Sequence, residues 1–586
     1  MSNRTLCRPL RMASPDVKVR RTSDGVIYVS SPQPLSTPER AVGDWLVQWA
    51  SQQPDRVFLA ERTQSGEWQT LTYGEALQTV RRVASGLLQA GASDDQPVAI
   101  LSGNSINHAL VALAAMHVGV PVAPISPAYS MLDKSYGKLR QIINELKPAV
   151  IYAENPEAFA PALQAIGRSA TAIEQMSCTA SEKVDQAFEK LTPDTVAKVL
   201  FTSGSTGTPK GVLNTQRMLT ANQLQSARVW PFLADEPPVL VDWLPWNHTF
   251  GGNYTFNLVL CHGGTMYIDH GKPMPGAFDA TLKNLRQIAP TVYFNVPRGF
   301  ELLLPHLEED AVFRKHFFSK CRFALYAGAA LPMNVWQRLE VLGQEACEGQ
   351  LVLASSWGST ETAPMCLGSY AGNTTPGSIG LPVPGCELKL VPNAGKLEAR
   401  VRGPHITPGY LNAPEASRKA FDEEGFYCMG DALRFIDPQD ASKGMLFDGR
   451  VAEDFKLRTG TWVHASKVRL SLLEAAAPLV QDAVITGQDR DEIGALLFLN
   501  PTVVKDLPVD AVRQRVHEAL QRLMNTDSGS SSMRIARALV LQEAPSVEHG
   551  EITDKGYLNQ RLIRERRADW VERLHQLPLQ PEVIQC

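Results

Sequence analysis

The chain has 586 residues, 44% of them hydrophobic, so it can bury a large core and is expected to divide into two or more domains. Its net charge of −4, with acidic and basic residues interspersed, gives no electrostatic reason to expect a nucleic acid or an anionic membrane as partner. Nine scattered cysteines without a CxxC pair indicate free thiols in a reducing compartment rather than a zinc site, and no apolar run is long enough to span a bilayer. We therefore expect a cytoplasmic protein.

Regular patterns begin at Thr37, after a polar segment interrupted by prolines that carries one expected hairpin around Gly25. Thr72 and Glu75 form a capping box ahead of apolar residues at helical spacing, and Gly91 ends this helix. Strand candidates then alternate with helices such as 106–118, which is typical of a parallel sheet covered by helices on both faces and predicts an α/β fold. The expected strands are 97–101, 122–125, 149–152, 199–201, 239–243, 291–296, 323–326 and 351–355.

Residues 199–211 (VLFTSGSTGTPKG) combine an apolar strand with a loop of glycines and hydroxyl side chains that contains Lys210. Converging N–H groups, hydroxyl donors and one ammonium group suit a polyphosphate. The loop is not a Walker A motif, because Pro209 precedes the lysine and Gly211 follows it. A flexible Ser/Gly linker is the alternative, but linkers seldom lie between an apolar strand and Pro-Lys-Gly.

Residues 243–256 crowd aromatic side chains and one histidine into a short stretch, which suits stacking against an aromatic substrate. Packing in the core is the alternative for each ring. The residues concerned are Trp243, Trp246, His248, Phe250, Tyr254 and Phe256.

After Phe447 the sequence becomes more polar, and the remaining ~135 residues have the size of a small separate domain. Strands are expected at 483–486, 495–499 and 538–541, helices at 509–524 and 557–576, and a flexible loop at 526–532. We predict three parts: an N-terminal extension at 1–36, a large domain at 37–450 and a small α+β domain at 451–586.

The loop TSGSTGTPKG resembles the signature loop of the adenylate-forming superfamily, which contains acyl-CoA and aryl-CoA synthetases, luciferases and the adenylation domains of peptide synthetases. The later motifs of that family follow in the same order, so the resemblance extends over residues 37–557. Four stretches are similar to the feruloyl-CoA synthetase branch: PWNHTFGGNYTF, GGTMYIDHGKPMPGAF, DGRVAEDFKL and GEITDKGYLNQR.

The resemblance implies a ligase that uses ATP, Mg²⁺ and coenzyme A. It implies that Thr360 contacts the α-phosphate, that Glu361 binds Mg²⁺, and that Asp431, with Arg450 beside it, holds the ribose hydroxyls. Without the resemblance, a lone aspartate or arginine would be interpreted as a solvated surface charge. Contacts with the nucleotide or with coenzyme A are implied for Thr202, Ser203, Gly204, Ser205, Thr206, Gly207, Lys210, Gly328, Ala329, Ala330, Trp357, Gly358, Thr360, Asp431, Arg450 and Gly460.

For the acid substrate, the resemblance places His248 near the carboxylate. The implied substrate pocket consists of Trp246, His248, Phe250, Tyr254 and Tyr326. In the second half-reaction the small domain of the family rotates about a hinge, here at Ala452, which lacks the charge that many members carry at this position. Lys456 and the loop 458–462, including Gly460, match the face used in thioester formation.

The adenylation lysine departs from the commonest family pattern. Many relatives end with a Gly-Lys pair, but here Glu551 follows Gly550, and a carboxylate would repel both reacting anions. Lys555 is the nearest cation, with Gly556 beside it, so we predict that it reaches the substrate carboxylate and the α-phosphate. A solvated surface lysine is the alternative.

Together these features predict a CoA ligase for an aromatic, hydroxycinnamic acid. The expected partners are the acid, ATP and coenzyme A, with a homodimer left open and neither nucleic acid nor membrane involved. There are two alternatives. One is a fatty-acyl-CoA ligase, and the other is a carrier-loading or adenylate-binding protein without ligase activity.

Overall fold

The computed structural model describes residues 10–203, 209–274, 276–346, 351–393, 395–526, 532–546, 549–552 and 558–585. Within these ranges the large N-terminal part contains three β-sheets flanked by helices, and the smaller C-terminal part contains two further sheets. This arrangement confirms the predicted fold class of a large α/β domain with a small α+β domain.

The five-stranded sheet carries the predicted phosphate loop at its edge. Its strands lie in the order Val150–Tyr152, Val98–Ile100, Val122–Pro124, Val196–Ser203 and Pro209–Thr215. The first four are parallel, as the alternating pattern predicts, but the last is antiparallel to its neighbour. A four-stranded sheet contains Val239–Asp242, Thr265–Ile268, Val57–Arg62 and Trp68–Thr72 in that order.

An eleven-stranded sheet forms the rest of the large domain. In spatial order its strands are Lys18–Arg21, Ile27–Ser30, Glu387–Asn393, Lys396–Arg402, Tyr427–Phe435, Met445–Arg450, Ser378–Pro382, Met365–Gly368, Val352–Gly358, Phe323–Tyr326 and Val292–Asn295. The last three are parallel and the others antiparallel, so the sheet is mixed. The predicted hairpin around Gly25 is confirmed, and its second strand pairs with Glu387–Asn393.

Helices cover the sheets. The α-helices are Val42–Gln52, Tyr73–Gln89, Ile106–His117, Ala128–Met131, Gly137–Leu146, Pro156–Ala165, Ile173–Met176, Glu182–Glu189, Gln216–Val229, Phe256–Cys261, Phe278–Gln287, Pro297–Glu309, Ala311–Phe318, Met333–Ala346, Pro414–Lys419, Ala465–Ala475, Pro501–Val504, Val509–Thr526, Gln560–Arg566 and Ala568–His575. The predicted capping box is confirmed, since the Thr72 N–H donates to Glu75 Oε2 at 2.9 Å and the Glu75 N–H to Thr72 Oγ1 at 3.3 Å.

The small domain has its own apolar core, which supports an independent unit. Its two sheets contain Phe455–Lys456 with Trp462–Val463, and Val480–Thr486, Ile493–Leu499, Ile535–Val540 and Ile584–Gln585. The prediction of a single helix at 557–576 is wrong, because two short helices meet at Arg567. That residue leaves the helical conformation (φ −102°, ψ 33°), and its guanidinium donates to Glu551 and to the carbonyls of Glu543 and Ala544.

Among the helices that the structure describes, none combines the length and the apolar character needed to cross a bilayer.

Candidate active site

Two motifs predicted to bind ATP leave the carboxyl ends of neighbouring parallel strands. Residues 327–332 follow Phe323–Tyr326, and residues 359–364 follow Val352–Gly358. Because the carboxyl ends of adjacent parallel strands meet at one edge of a sheet, both motifs lie at the edge where open α/β sheets bind their ligands.

The loop at residues 328–330, which the family resemblance implies contacts the nucleotide, is accessible to solvent. Gly328, Ala329 and Ala330 are exposed, and Gly328 has a φ of 86°, a conformation that favours glycine. Tyr326, at the start of the loop, is only 3% exposed, and burial raises the pKa of its hydroxyl. The small residues can therefore contact a ligand, whereas the Tyr326 ring packs in the core.

The predicted phosphate loop connects two antiparallel strands. In the hairpin formed by Val196–Ser203 and Pro209–Thr215, Thr202 pairs with Lys210 and Ser203 with Pro209. The ends of the loop are thereby held side by side. The residues between them, Gly204, Ser205, Thr206 and Gly207 among them, lie outside the described ranges.

A tight turn carries Thr360 and Glu361. Residues Thr360–Thr362 form a single 3-10 turn, and the Glu361 carbonyl accepts from the Thr407 N–H at 2.8 Å. A Cβ atom at Gly358 would lie 1.7 Å from the Pro364 carbonyl oxygen, so only glycine fits where the strand enters this turn.

Tyr410 joins the turn to the phosphate-loop hairpin. Its hydroxyl donates to Glu361 Oε1 at 3.1 Å and lies 3.1 Å from the Tyr427 hydroxyl, while the Lys210 ammonium lies 5.5 Å from the centre of its ring. Burial, reinforced by the Glu361 carboxylate, raises the pKa of both tyrosines. The structure therefore brings the predicted phosphate-binding lysine and the predicted metal ligand to one place.

Asp431, Arg450 and Trp357 form a second polar group. The Trp357 indole N–H donates to Asp431 Oδ2 at 3.0 Å, and Arg450 Nε lies 3.6 Å from Asp431 Oδ1, which accepts no hydrogen bond from the described residues. Asp431 is 8% exposed, and burial raises the pKa of its carboxyl although Arg450 opposes this. The arrangement leaves one carboxylate oxygen able to accept from a ligand hydroxyl.

The aromatic stretch contains a π-helix at Thr249–Thr255, a rare conformation that occurs frequently at functional sites. A Cβ atom at Gly251 would lie 2.3 Å from the Leu244 carbonyl oxygen, and one at Gly252 would lie 2.1 Å from that of Trp246. The glycine pair thus allows the π-helix to pack directly on the main chain that precedes it.

The rings of this stretch have different surroundings. Trp246 is 4% exposed and packs edge-on against Phe256 at 4.9 Å, and Tyr254 is 1% exposed with its hydroxyl bonded to Ser226 at 3.1 Å. His248 and Phe250 are half-buried. Core packing therefore accounts for Trp246 and Tyr254, while His248 and Phe250 keep accessible surface.

Lys198 is a buried charged residue that is absent from the predicted site. Its ammonium donates to the Gly252 carbonyl at 2.5 Å, and the Gly252 N–H donates to the His248 carbonyl at 2.7 Å. Burial lowers the pKa of Lys198 to about 7. A lysine inside the apolar strand VAKVLF is the signal that could have revealed it.

Three buried side chains, Cys366, Cys386 and His405, bring possible metal ligands within 4.8 Å of one another. The side-chain carbonyl of Gln225 accepts a hydrogen bond from Asn222. The NH2 group of Gln225 therefore faces His405 Nδ1, at 3.0 Å. His405 therefore carries its proton on Nε2, which lies 3.5 Å from the Cys366 sulfur. This geometry fits a hydrogen-bonded Cys–His pair and opposes metal ligation through that nitrogen.

In the small domain, Lys456 and Gly460 lie on a narrow hairpin. Lys456 is exposed, with its ammonium 4.9 Å from the Trp462 ring centre. Gly460 has a φ of 84° and forms the turn by donating to the Leu457 carbonyl at 2.9 Å.

Glu551 has a structural role in this fold. It is 3% exposed and accepts two hydrogen bonds from Arg567, at 2.9 and 2.6 Å. Burial opposes ionisation, but the bonds with Arg567 hold the pKa of Glu551 below its usual value. Lys555, predicted to replace the usual adenylation lysine, lies outside the described residues.

Comparison with protein families matches residues 46–411 to the AMP-binding enzyme family and residues 456–576 to the AMP-binding enzyme C-terminal domain. The fold and the site therefore define a two-domain, nucleotide-binding enzyme. The chain belongs to the AMP-binding enzyme family, which confirms the resemblance at the level of the superfamily. The feruloyl-CoA synthetase branch stays a prediction.

Relatives within this family differ in the acids they are named for. The chain is 25% identical over 479 residues to the 3-hydroxybenzoate–CoA ligase of Aromatoleum sp., covering 78% of this chain and 84% of that protein. It is 24% identical over 632 residues to the long-chain-fatty-acid–CoA ligase FadD15 of Mycobacterium bovis, covering 93% of this chain and 99% of that protein. The structure of ATP-bound MatB from Rhodopseudomonas palustris aligns with a TM-score of 0.68 at 20% identity over 91% of this chain and 100% of that one, which supports the fold.

Proposed function

We propose that the protein is an AMP-forming acid–thiol ligase. A carboxylic acid reacts with ATP to give an acyl-adenylate and pyrophosphate, and the acyl group then passes to coenzyme A with release of AMP. The observation that carries this proposal is that Tyr410 contacts both Lys210 and Glu361. Its ring lies 5.5 Å from the Lys210 ammonium, and its hydroxyl donates to Glu361 Oε1 at 3.1 Å. CoA ligases for both aromatic and fatty acids among the relatives support the reaction class.

On the nucleotide side, the oxygen of Asp431 that accepts no bond from the described residues suits a ribose hydroxyl, with Arg450 beside it. The exposed loop at 328–330 would contact the adenine ring, and Thr360 the α-phosphate. The Glu361 carboxylate, a hard oxygen ligand, would hold Mg²⁺, which supplies charge neutralisation to the phosphates when bound.

For the acid, we propose an aromatic substrate of the hydroxycinnamic class, recognised beside the π-helix. The half-buried Phe250 offers an aromatic surface, and His248 would face the carboxylate. A long-chain fatty acid is the second candidate, since FadD15 aligns with nearly the whole chain.

A panel of acids tests this assignment. We expect ferulate and related cinnamic acids to support CoA-dependent AMP release with a kcat/KM at least about tenfold above that of decanoate, because an aromatic pair adds energy beyond area burial. Benzoic acids probe the length of the pocket in the same assay. Equal turnover of ferulate and decanoate would reject the aromatic assignment. Acid-dependent exchange between ATP and pyrophosphate without CoA-dependent release of AMP would favour a carrier-loading protein, because CoA would then not accept the acyl group.

We further propose that residues 451–586 rotate about Ala452 between the half-reactions. Lys456→Ala is then expected to slow thioester formation from a supplied acyl-adenylate by about a hundredfold, because it disturbs the positioning of the thiol, and to leave adenylation unchanged. Lys467→Ala, at an exposed lysine of the same domain, serves as the control. Equal slowing of both half-reactions by Lys456→Ala would contradict the proposed role.

A further inference from the structure

The segment that joins the two domains is held by a buried lysine of the large domain. Lys396 stands at the tip of the hairpin formed by Glu387–Asn393 and Lys396–Arg402. Its ammonium donates to the Asp448 carbonyl at 2.5 Å and forms an ion pair with the Asp454 carboxylate. The two charged side chains are only 6% and 5% exposed.

Asp454 also contacts the start of the first helix of the small domain. Its Oδ2 pairs with His464 Nδ1 at 2.9 Å, and its Oδ1 accepts from the Ala465 N–H at 3.2 Å, at the start of a helix. A side chain at Gly449 would place its Cβ 3.3 Å from the Lys396 ammonium, so the glycine lets the chain pass close to the lysine. One carboxylate thus connects the large domain with the first helix of the small one.

The contacts of Lys396 lie on both sides of the proposed hinge. Asp448 precedes Ala452 and Asp454 follows it, so a large rotation at residue 452 would separate Asp454 from a lysine that stays bonded to Asp448. Breaking a buried ion pair leaves an uncompensated buried charge, which strongly opposes the change. The pair therefore favours the domain arrangement in which it forms.

That arrangement places residues 549–552 of the small domain against the large domain. A Cβ atom at Gly550 would lie 3.5 Å from the ammonium of Lys138, in the helix Gly137–Leu146. The Asn412 side chain donates to the Glu145 carbonyl of the same helix, and the neighbouring Leu411 N–H donates to the Gly211 carbonyl beside the phosphate loop. The described stretch before Lys555 therefore lies against a helix whose far end is bonded, through residues 411 and 412, to the strand that follows the phosphate loop.

We infer that Lys396 is a positioning residue for acyl-adenylate formation: through its ion pair with Asp454 across the hinge, it holds the small domain in the arrangement used in that step. This inference rests on the proposed two-step function. The ion pair of Lys396 and Asp454 then supplies the charge interaction that Ala452 cannot make.

The test compares the two half-reactions in full-length variants. Lys396→Met and Asp454→Asn are each expected to slow acid-dependent exchange between ATP and pyrophosphate about tenfold, whereas thioester formation from a supplied acyl-adenylate and coenzyme A keeps its rate. The double variant is expected to resemble the single ones instead of multiplying their effects, because both changes remove the same pair.

Lys389→Met is the matched control. Lys389 lies on the preceding strand, is 9% exposed and pairs with Asp422 at 2.9 Å inside the large domain, so its loss should not change the ratio of the two rates. An unchanged ratio in Lys396→Met and Asp454→Asn, or a multiplied effect in the double variant, would overturn the inference. A wild-type enzyme without exchange on any acid would instead reject the proposed function.

Discussion

Replacing Lys555 with alanine is expected to slow acyl-adenylate formation by about 10²–10³-fold, the size of effect seen when one preorganised electrostatic contact to a transition state is removed. The carboxylate and the α-phosphate are both anions, so the reaction depends on a cation placed between them. The residue that follows Gly550 cannot supply it, because Glu551 is negatively charged and bonded to Arg567. Acid-dependent exchange between ATP and pyrophosphate measures this step.

The same variant should still convert a supplied feruloyl-adenylate and coenzyme A to the thioester, because the proposed role of Lys555 is confined to the first half-reaction. Lys467→Ala, at an exposed lysine of the small domain, controls for the loss of a positive charge. An unchanged exchange rate in Lys555→Ala would exclude this lysine. The next candidate would then be Arg561, whose guanidinium pairs with Glu565 at 2.7 Å.

Glu361→Gln is expected to lower the adenylation rate by about a hundredfold, or about 3 kcal/mol of transition-state stabilisation. The substitution keeps the shape of the side chain and one acceptor oxygen for Tyr410, but it removes the negative charge that we propose binds Mg²⁺. The rate should be measured as a function of Mg²⁺ concentration, and the concentration for half-maximal activity should rise.

Tyr410→Phe separates the charge of Glu361 from its hydrogen bond. It removes the hydroxyl that donates to Glu361 at 3.1 Å and leaves the carboxylate intact, so its effect on the Mg²⁺ dependence should be much smaller. Near-normal exchange between ATP and pyrophosphate in Glu361→Gln at low Mg²⁺ would show that this glutamate does not bind the metal.

Local patterns predicted the elements whose signals lie within a few residues of each other. The capping box of Thr72 and Glu75, and the strands that precede the phosphate loop and the Thr360 turn, depend on such signals. The break at Arg567 was missed because the contacts of that residue with Glu551 and Glu543 come from a distant loop and override helical periodicity.

Parts of the candidate site are set by contacts between segments far apart in sequence. Tyr410 reaches Glu361 because residues 409–411 bond to the strand after the phosphate loop, where the Leu213 N–H donates to the Gly409 carbonyl at 3.1 Å. The pair of Lys396 and Asp454 likewise joins two domains. Neither contact leaves a periodic pattern, so the family's motifs could be predicted from the sequence but the residues that connect them could not.

The close packing of Gly251 and Gly252 on the carbonyls of Leu244 and Trp246 also restricts how the enzyme can evolve. Any side chain at these two positions would displace the π-helix, so mutations there are expected to be purged whatever acid is preferred. Adaptive change beside the π-helix is thereby directed to positions that keep accessible surface and contact the variable part of the acid, such as Phe250.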